Sequence, residues 1–291
     1  MLNEFLISGF SSYDNKTILL VLFLLVNAIV ILLTFIDFKI FKKESLEKLI
    51  EELETELNGR ILIIIDDTKM EKKKNFGSDL QSRILSIEDE YLESFFHYIS
   101  DCVNKEKKII LIVFTEGGSV AFSDAVINAI LNHPYGSQAY IPYYAMSAGA
   151  IISLACEDIY MNSFSFLTPV DPQIELEVKE KNIYCSAKSL SEIIKKNNKN
   201  QVDEQVYLQA FDSVSLFKDN LQTLSRIFRR RKISGAALKK LLYIFGSGEI
   251  PHSKPLSPSY LNSISAYLNI QSIENSRVDM LFRQFLLNIN K

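Results

Sequence analysis

Apolar positions along this chain change rhythm several times, and each rhythm predicts a different element. Thr17 to Ile36 is an uncharged apolar run (TILLVLFLLVNAIVILLTFI). At about 1.5 Å per residue such a helix spans the ~30 Å hydrocarbon core of a bilayer. From Ser45 to Leu57 the spacing becomes helical, with Leu46, Leu49, Ile50, Leu53 and Leu57 on one stripe, an acidic outer face and Ser45 as N-cap. Arg60–Asp66 (RILIIID) and Ile109–Phe114 (IILIVF) are continuous β-branched runs, the pattern of strands buried on both faces. Between them, Thr68–Ser82 is polar and lysine-rich, hence a loop, and Glu88–Asn104 carries a helical stripe from Tyr91 to Val103. After Thr115-Glu-Gly-Gly-Ser119 the pattern predicts a helix over Val120–Leu131 and a third strand over Ala139–Tyr144. Small residues around Ser147 then lead into an apolar helix ending near Cys156, and Asp158–Met161 reads as a short strand. Strand and helix alternating at this spacing predict right-handed βαβ units and a mostly parallel sheet, an α/β fold.

The second half is more polar. Phe164–Gln173 is a proline-punctuated loop, and Glu175–Asn200 is charged and flexible towards its end. Asp203–Arg231 predicts a long helix ending in an Arg229-Arg-Arg-Lys232 cluster, Gly246–Pro258 a turn-rich loop, and Ser259–Leu268 a further helix. The domain plan is a short tail (1–16), a transmembrane anchor (17–36), a helical stalk (37–58), a catalytic-type domain (59–270) and a C-terminal helix or tail (271–291).

Composition narrows the classes. A formal net charge of -3 offers no bulk basic field for nucleic acid. The positive mean hydropathy, +0.08, agrees with a membrane segment. Cys102, Cys156 and Cys185 lie far apart with no CxxC pair, which argues against a metal site or disulfide framework and for a reducing compartment. His97, His133 and His252 are too few for a histidine-rich metal centre, and no cofactor is expected. The region before the apolar run is not basic and no A-x-A site follows, so a retained anchor is expected rather than a cleaved signal. Lys39, Lys42, Lys43 and Lys48 follow it directly, which places the remaining chain in the cytoplasm by the positive-inside rule.

The candidate chemistry sits at strand ends. Ser147 falls where a strand meets a helix, a sharp turn that exposes a hydroxyl beside unpaired helix N–H groups. Gly117 and Gly118 end the neighbouring strand, on the same carboxyl edge of the sheet, where backbone amides can approach a ligand. A serine and a diglycine so placed make a nucleophile with an oxyanion hole.

These pieces resemble the Clp-fold serine peptidases, most closely the membrane-anchored serine dehydrogenase proteinase family, related to signal peptide peptidase A. The resemblance rests on Thr115-Glu-Gly-Gly-Ser119, Pro142-Tyr-Tyr-Ala-Met-Ser-Ala-Gly149, Glu157-Asp-Ile-Tyr-Met161 and Pro169-Val-Asp-Pro-Gln173. It implies a Clp/crotonase-like fold preceded by one transmembrane helix, homo-oligomerisation, and peptide or membrane-protein substrates. Ser147 matches the family nucleophile and the amides of Gly118 and Ala148 its oxyanion hole, with Gly117 and Ser119 on the substrate edge. The general base stays open. Counting forward from Ser147 to the histidine position of Clp lands near Thr168 and Pro169, so a triad of that kind is not expected. The lysine used by the signal peptide peptidase A group falls near Ser191 and Glu192, with Lys188 just upstream. Lys188 and His252 are therefore the two candidates. Glu116, where a small residue or proline is usual, and the displaced lysine motivate an alternative: a catalytically degenerate scaffold at the membrane. A crotonase-type acyl-CoA enzyme is the third class, though it needs no serine at the elbow.

Overall fold

The computed structural model describes residues 46–178, 181–196, 204–273 and 276–289. The apolar run at 17–36 lies outside these. Among the described residues no helix is long and apolar enough to cross a membrane. The chain divides into two compact units, Met1–Leu49 and Ile50–Lys291. Of the first, only the opening turn of helix α1 (Leu46–Glu56) is described.

The second unit is built on a six-stranded, wholly parallel sheet. β1 (Gly59–Ile65) leads by way of helix α2 (Ser78–Ser82) to β2 (Ile84–Leu85) at one edge. Helix α3 (Leu92–Asn104) carries the chain back to β3 (Lys108–Phe114) on the other side of β1. The path then moves steadily outward, through α4 (Val120–Asn132), β4 (Ser137–Ile141), the short β5 (Tyr144–Ala145), α5 (Ala148–Ala155) and β6 (Asp158–Met161). β1 and β3 pair along their full length, from Gly59 opposite Lys108 to Ile65 opposite Phe114. Ile61–Ile65 and Ile109–Val113 are completely or almost completely buried, as helices on both faces of a parallel sheet require. The direction of travel reverses between β1 and β3, so their carboxyl ends open the kind of crevice in which α/β folds bind ligands.

β7 (Phe166–Leu167) pairs with β5, and a separate antiparallel hairpin follows, β8 (Gln173–Val178) with β9 (Lys181–Ser186). Helices α6 (Ala187–Lys196), α7 (Glu204–Arg230), α8 (Gly235–Gly246) and α9 (Pro258–Ile264) lead to the second edge strand β10 (Ile270–Ser272), and α10 (Arg277–Ile289) closes the described chain. A buried carboxylate, Glu54, fastens α1 to the sheet. It accepts from the Ile61 N–H at 2.7 Å, from Arg60 at 2.6 Å and from Arg83.

Three expectations change. Thr68–Ser82 is not an irregular loop: Asp67–Asn75 winds into 3-10 turns and α2 follows. Its lysines fold back, Lys73 to the Ile84 carbonyl and Lys69 to Asp66, and these contacts order a segment that lacks apolar periodicity. The third strand ends at Ile141, because Pro142 donates no ladder hydrogen bond, and Tyr144–Ala145 pairs separately. The charged stretch after Glu175 forms the β8–β9 hairpin and α6, held by a small core of Leu176, Leu190 and Ala210; residues 197–200 lie outside the described part.

Candidate active site

The reactive edge begins at the end of β3. Thr115 offers its carbonyl to the Met146 N–H at 2.9 Å, so the turn after β3 and the turn after β4 are tied together. Gly117 has φ +126, and a Cβ there would lie 2.9 Å from Ser147 Cβ. The diglycine backbone is thus pressed against the serine turn, which explains why that position tolerates no side chain. At Gly118 a Cβ would meet the Ile87 carbonyl oxygen at 2.1 Å, because the next residue, Ser119, donates to that carbonyl at 2.7 Å. Ser119 itself caps α4, accepting from the Phe122 N–H at 3.2 Å and donating to Asp89.

Ser147 sits at φ 48 and ψ -118, a positive φ on a non-glycine residue. Such a conformation costs on the order of 1–3 kcal/mol and persists only where its surroundings over-determine it. Here they do. The Ser147 N–H donates to Thr168 Oγ1 at 3.0 Å, and Thr168, fully buried, donates on to the Pro169 carbonyl at 3.1 Å. Behind the turn Gly149 packs so closely that a Cβ would come within 2.6 Å of Thr115 Cγ2, and every residue of α5 is buried. Among the described residues the N–H groups of Gly118 and Ala148 have no hydrogen-bond partner. Both residues line one cleft with Ser147, which is half-buried, so two free amide donors share the cleft with the serine.

His252 lines the same cleft. Its loop is zipped to the Pro169–Gln173 segment by the paired hydrogen bonds of Leu167 and Leu256, at 3.1 and 2.8 Å, and by Val170 N–H to the Phe245 carbonyl at 2.7 Å. Across that junction His252 Nδ1 lies 3.0 Å from Oδ1 of Asp171, whose residue is 2% exposed. The other carboxylate oxygen accepts from Gln173 Nε2 at 2.7 Å. An ionised carboxylate only accepts, so Nδ1 carries the proton toward Asp171 and Nε2 is left with a lone pair. Gln173 Nε2, also a donor, lies 3.4 Å from Nδ1 and serves the carboxylate instead.

Lys188 lies elsewhere. It does not line the cleft, and its ammonium donates to Glu249, whose carboxyl is held below its ordinary range by that hydrogen bond. Ser147, Gly118, Ala148, Gly117 and His252 are therefore gathered at one edge, Ser119 acts there as a helix cap, and Lys188 is paired outside. Sequence reasoning passed over Asp171 and Thr168. Asp171 was visible as a carboxylate between two prolines, but only the folded loop shows that it faces His252. The cleft is about 190 Å³, below the ~300–1,000 Å³ typical of small-molecule sites.

Residues 11–284 match the description of a ClpP-like SDH-type serine proteinase. An uncharacterized protein of Methanocaldococcus jannaschii is 27% identical over 210 residues, covering 72% of this chain and 68% of its own length. Among solved structures, similarity is found to the 1510-N membrane protease specific for a stomatin homolog from Pyrococcus horikoshii, at 11% identity and a TM-score of 0.38 over 77% of this chain and 78% of that one. An enoyl-CoA hydratase from Polaromonas sp. JS666 is similar at 13% identity and a TM-score of 0.37, over 79% of this chain and 74% of that one.

Proposed function

The chain belongs to the family of ClpP-like SDH-type serine proteinases, and on that premise we propose that it is a membrane-anchored, ATP-independent serine endopeptidase acting through a Ser147–His252–Asp171 triad. The carrying observation is the hydrogen bond from His252 Nδ1 to buried Asp171 at the cleft that holds the strained Ser147. In this reading His252 Nε2 takes the proton from Ser147 Oγ as it attacks the scissile carbonyl. The amides of Gly118 and Ala148 hold the developing oxyanion, an interaction worth about 2.7–4 kcal/mol per donor. The protonated imidazole, steadied by Asp171, then protonates the leaving amine. An acyl-enzyme on Ser147 remains, and water resolves it by the same base.

Gly117 and Gly118 would receive the extended substrate backbone, and the run at 17–36 would hold the domain at the membrane on its cytoplasmic side. Assembly into homo-oligomers belongs to the same proposal. Between the two base candidates, the Glu249 partner of Lys188 supports His252.

The test is fluorophosphonate labelling followed by peptide mapping. Label is expected on Ser147 in the wild type, absent in Ser147→Ala and strongly slowed in His252→Ala, with Lys188→Ala labelled at close to the wild-type rate. A folded wild type that takes no label at Ser147 refutes the peptidase reading and leaves the scaffold alternative.

A further inference from the structure

The walls of the reactive cleft carry one sign of charge. Beyond the triad, its charged lining residues are Glu116, Asp124 and Asp219, and among the described residues no lysine or arginine lines it. Asp124 comes from α4 and Asp219 from α7, and both line the cleft. Partial burial holds the Asp124 carboxyl above its ordinary range against the pull of Arg226, which stands outside the cleft lining, and the charge of Asp219 adds a smaller push upward. The two carboxylates therefore feel each other across the cleft. The apolar part of the lining includes Ile151, Val170 and Leu216.

A cleft whose lining combines apolar side chains with carboxylates suits a side chain with an aliphatic stem and a cationic tip. The stem would lie against apolar residues such as Ile151 and Leu216, and the tip would bring a positive charge to a lining that holds Asp124 and Asp219. A carboxylate-bearing side chain would instead bring another negative charge to that lining. We infer that this cleft selects peptides carrying lysine or arginine beside the scissile bond, with Asp124 and Asp219 as its specificity-determining residues. The inference rests on the peptidase reading of Ser147.

The experiment uses the full-length protein in detergent and three fluorogenic peptides that differ only in the residue before the scissile bond: lysine, its neutral isostere norleucine, or glutamate. Each exposed carboxylate contributes a few-fold, so kcat/KM for lysine should exceed that for norleucine by about tenfold at low salt, with glutamate the poorest. The advantage should shrink as salt screens the charges. In Asp124→Asn and Asp219→Asn the lysine-to-norleucine ratio should fall towards one, further in the double variant. Because the ratio is taken within each variant, a general loss of activity cancels, and fluorophosphonate labelling of Ser147 reports that each variant is folded. Equal turnover of the lysine and norleucine peptides by a wild type that labels at Ser147 overturns the specificity inference alone. Absence of both labelling and turnover overturns it together with the peptidase reading beneath it.

Discussion

Replacing Asp171 by asparagine changes one atom and should remove most of the activity. In the native arrangement the carboxylate accepts on both oxygens, from His252 Nδ1 at 3.0 Å and from Gln173 Nε2 at 2.7 Å. Asparagine keeps one acceptor, which Gln173 can retain, and turns the other position into a donor. A donor facing Nδ1 favours the opposite imidazole tautomer, with the proton on Nε2, where it can no longer accept from Ser147. Loss of the correct tautomer in a triad costs about 10⁴ in kcat, which at 1.36 kcal/mol per decade is about 5.4 kcal/mol of transition-state stabilisation. Stability should change far less, because the side chain is isosteric and remains hydrogen-bonded. The assay is pre-steady-state acylation by an activated ester or fluorogenic peptide, alongside thermal unfolding. Asp171→Asn should unfold within a few degrees of wild type and acylate about 10⁴-fold more slowly. A folded Asp171→Asn variant within tenfold of wild type would refute the triad and reopen the question of the base.

Other outcomes follow from the same geometry. Ser147→Gly should abolish labelling yet stabilise the fold by about 0.5–2 kcal/mol, since glycine relieves strain of about 1–3 kcal/mol at some entropic cost; denaturant melts of Ser147→Gly and Ser147→Ala should separate in that order. Gly149→Ala should cost about 1–3 kcal/mol, because its Cβ would stand 2.6 Å from Thr115 Cγ2, read as a lower denaturation midpoint. Glu54→Ala should cost about 3–5 kcal/mol by leaving Arg83 and the Ile61 amide without their buried partner. Burial pushes the thiols of Cys102 and Cys156 from 9.0 up to about 12. The folded chain then holds protons that the unfolded chain releases, so these groups contribute full stability below pH 9 and lose it as pH rises towards 12; alkylation at pH 8 should mark only the half-buried Cys185 before unfolding.

The sheet was legible because burial on both faces leaves an unmistakable trace: RILIIID and IILIVF can hardly be read as anything but central strands. Ser147 and the diglycine were legible for a related reason, since strand ends in a parallel sheet fall on one edge. The base was not. His252 and Asp171 meet through the Leu167–Leu256 pairing and the Val170–Phe245 hydrogen bond, contacts between loops about 80 residues apart that no local pattern announces. Counting forward from Ser147 for a histidine found Thr168, which instead holds the serine amide. The hairpin after Gln173 was obscured by its charged residues, which lie on strands with little core beneath them.

The order of these residues along the chain has a consequence for biosynthesis. Asp171 follows Ser147 closely, but His252 follows it by about 100 residues, and Arg277 must still appear to pair with Glu52 and Glu56, 225 and 221 positions earlier. At about 5–20 residues per second, the ribosome presents Ser147 for roughly 5–20 s before His252 exists. In the proposed triad the nascent chain therefore passes through most of translation without its base, inert towards itself and neighbouring polypeptides.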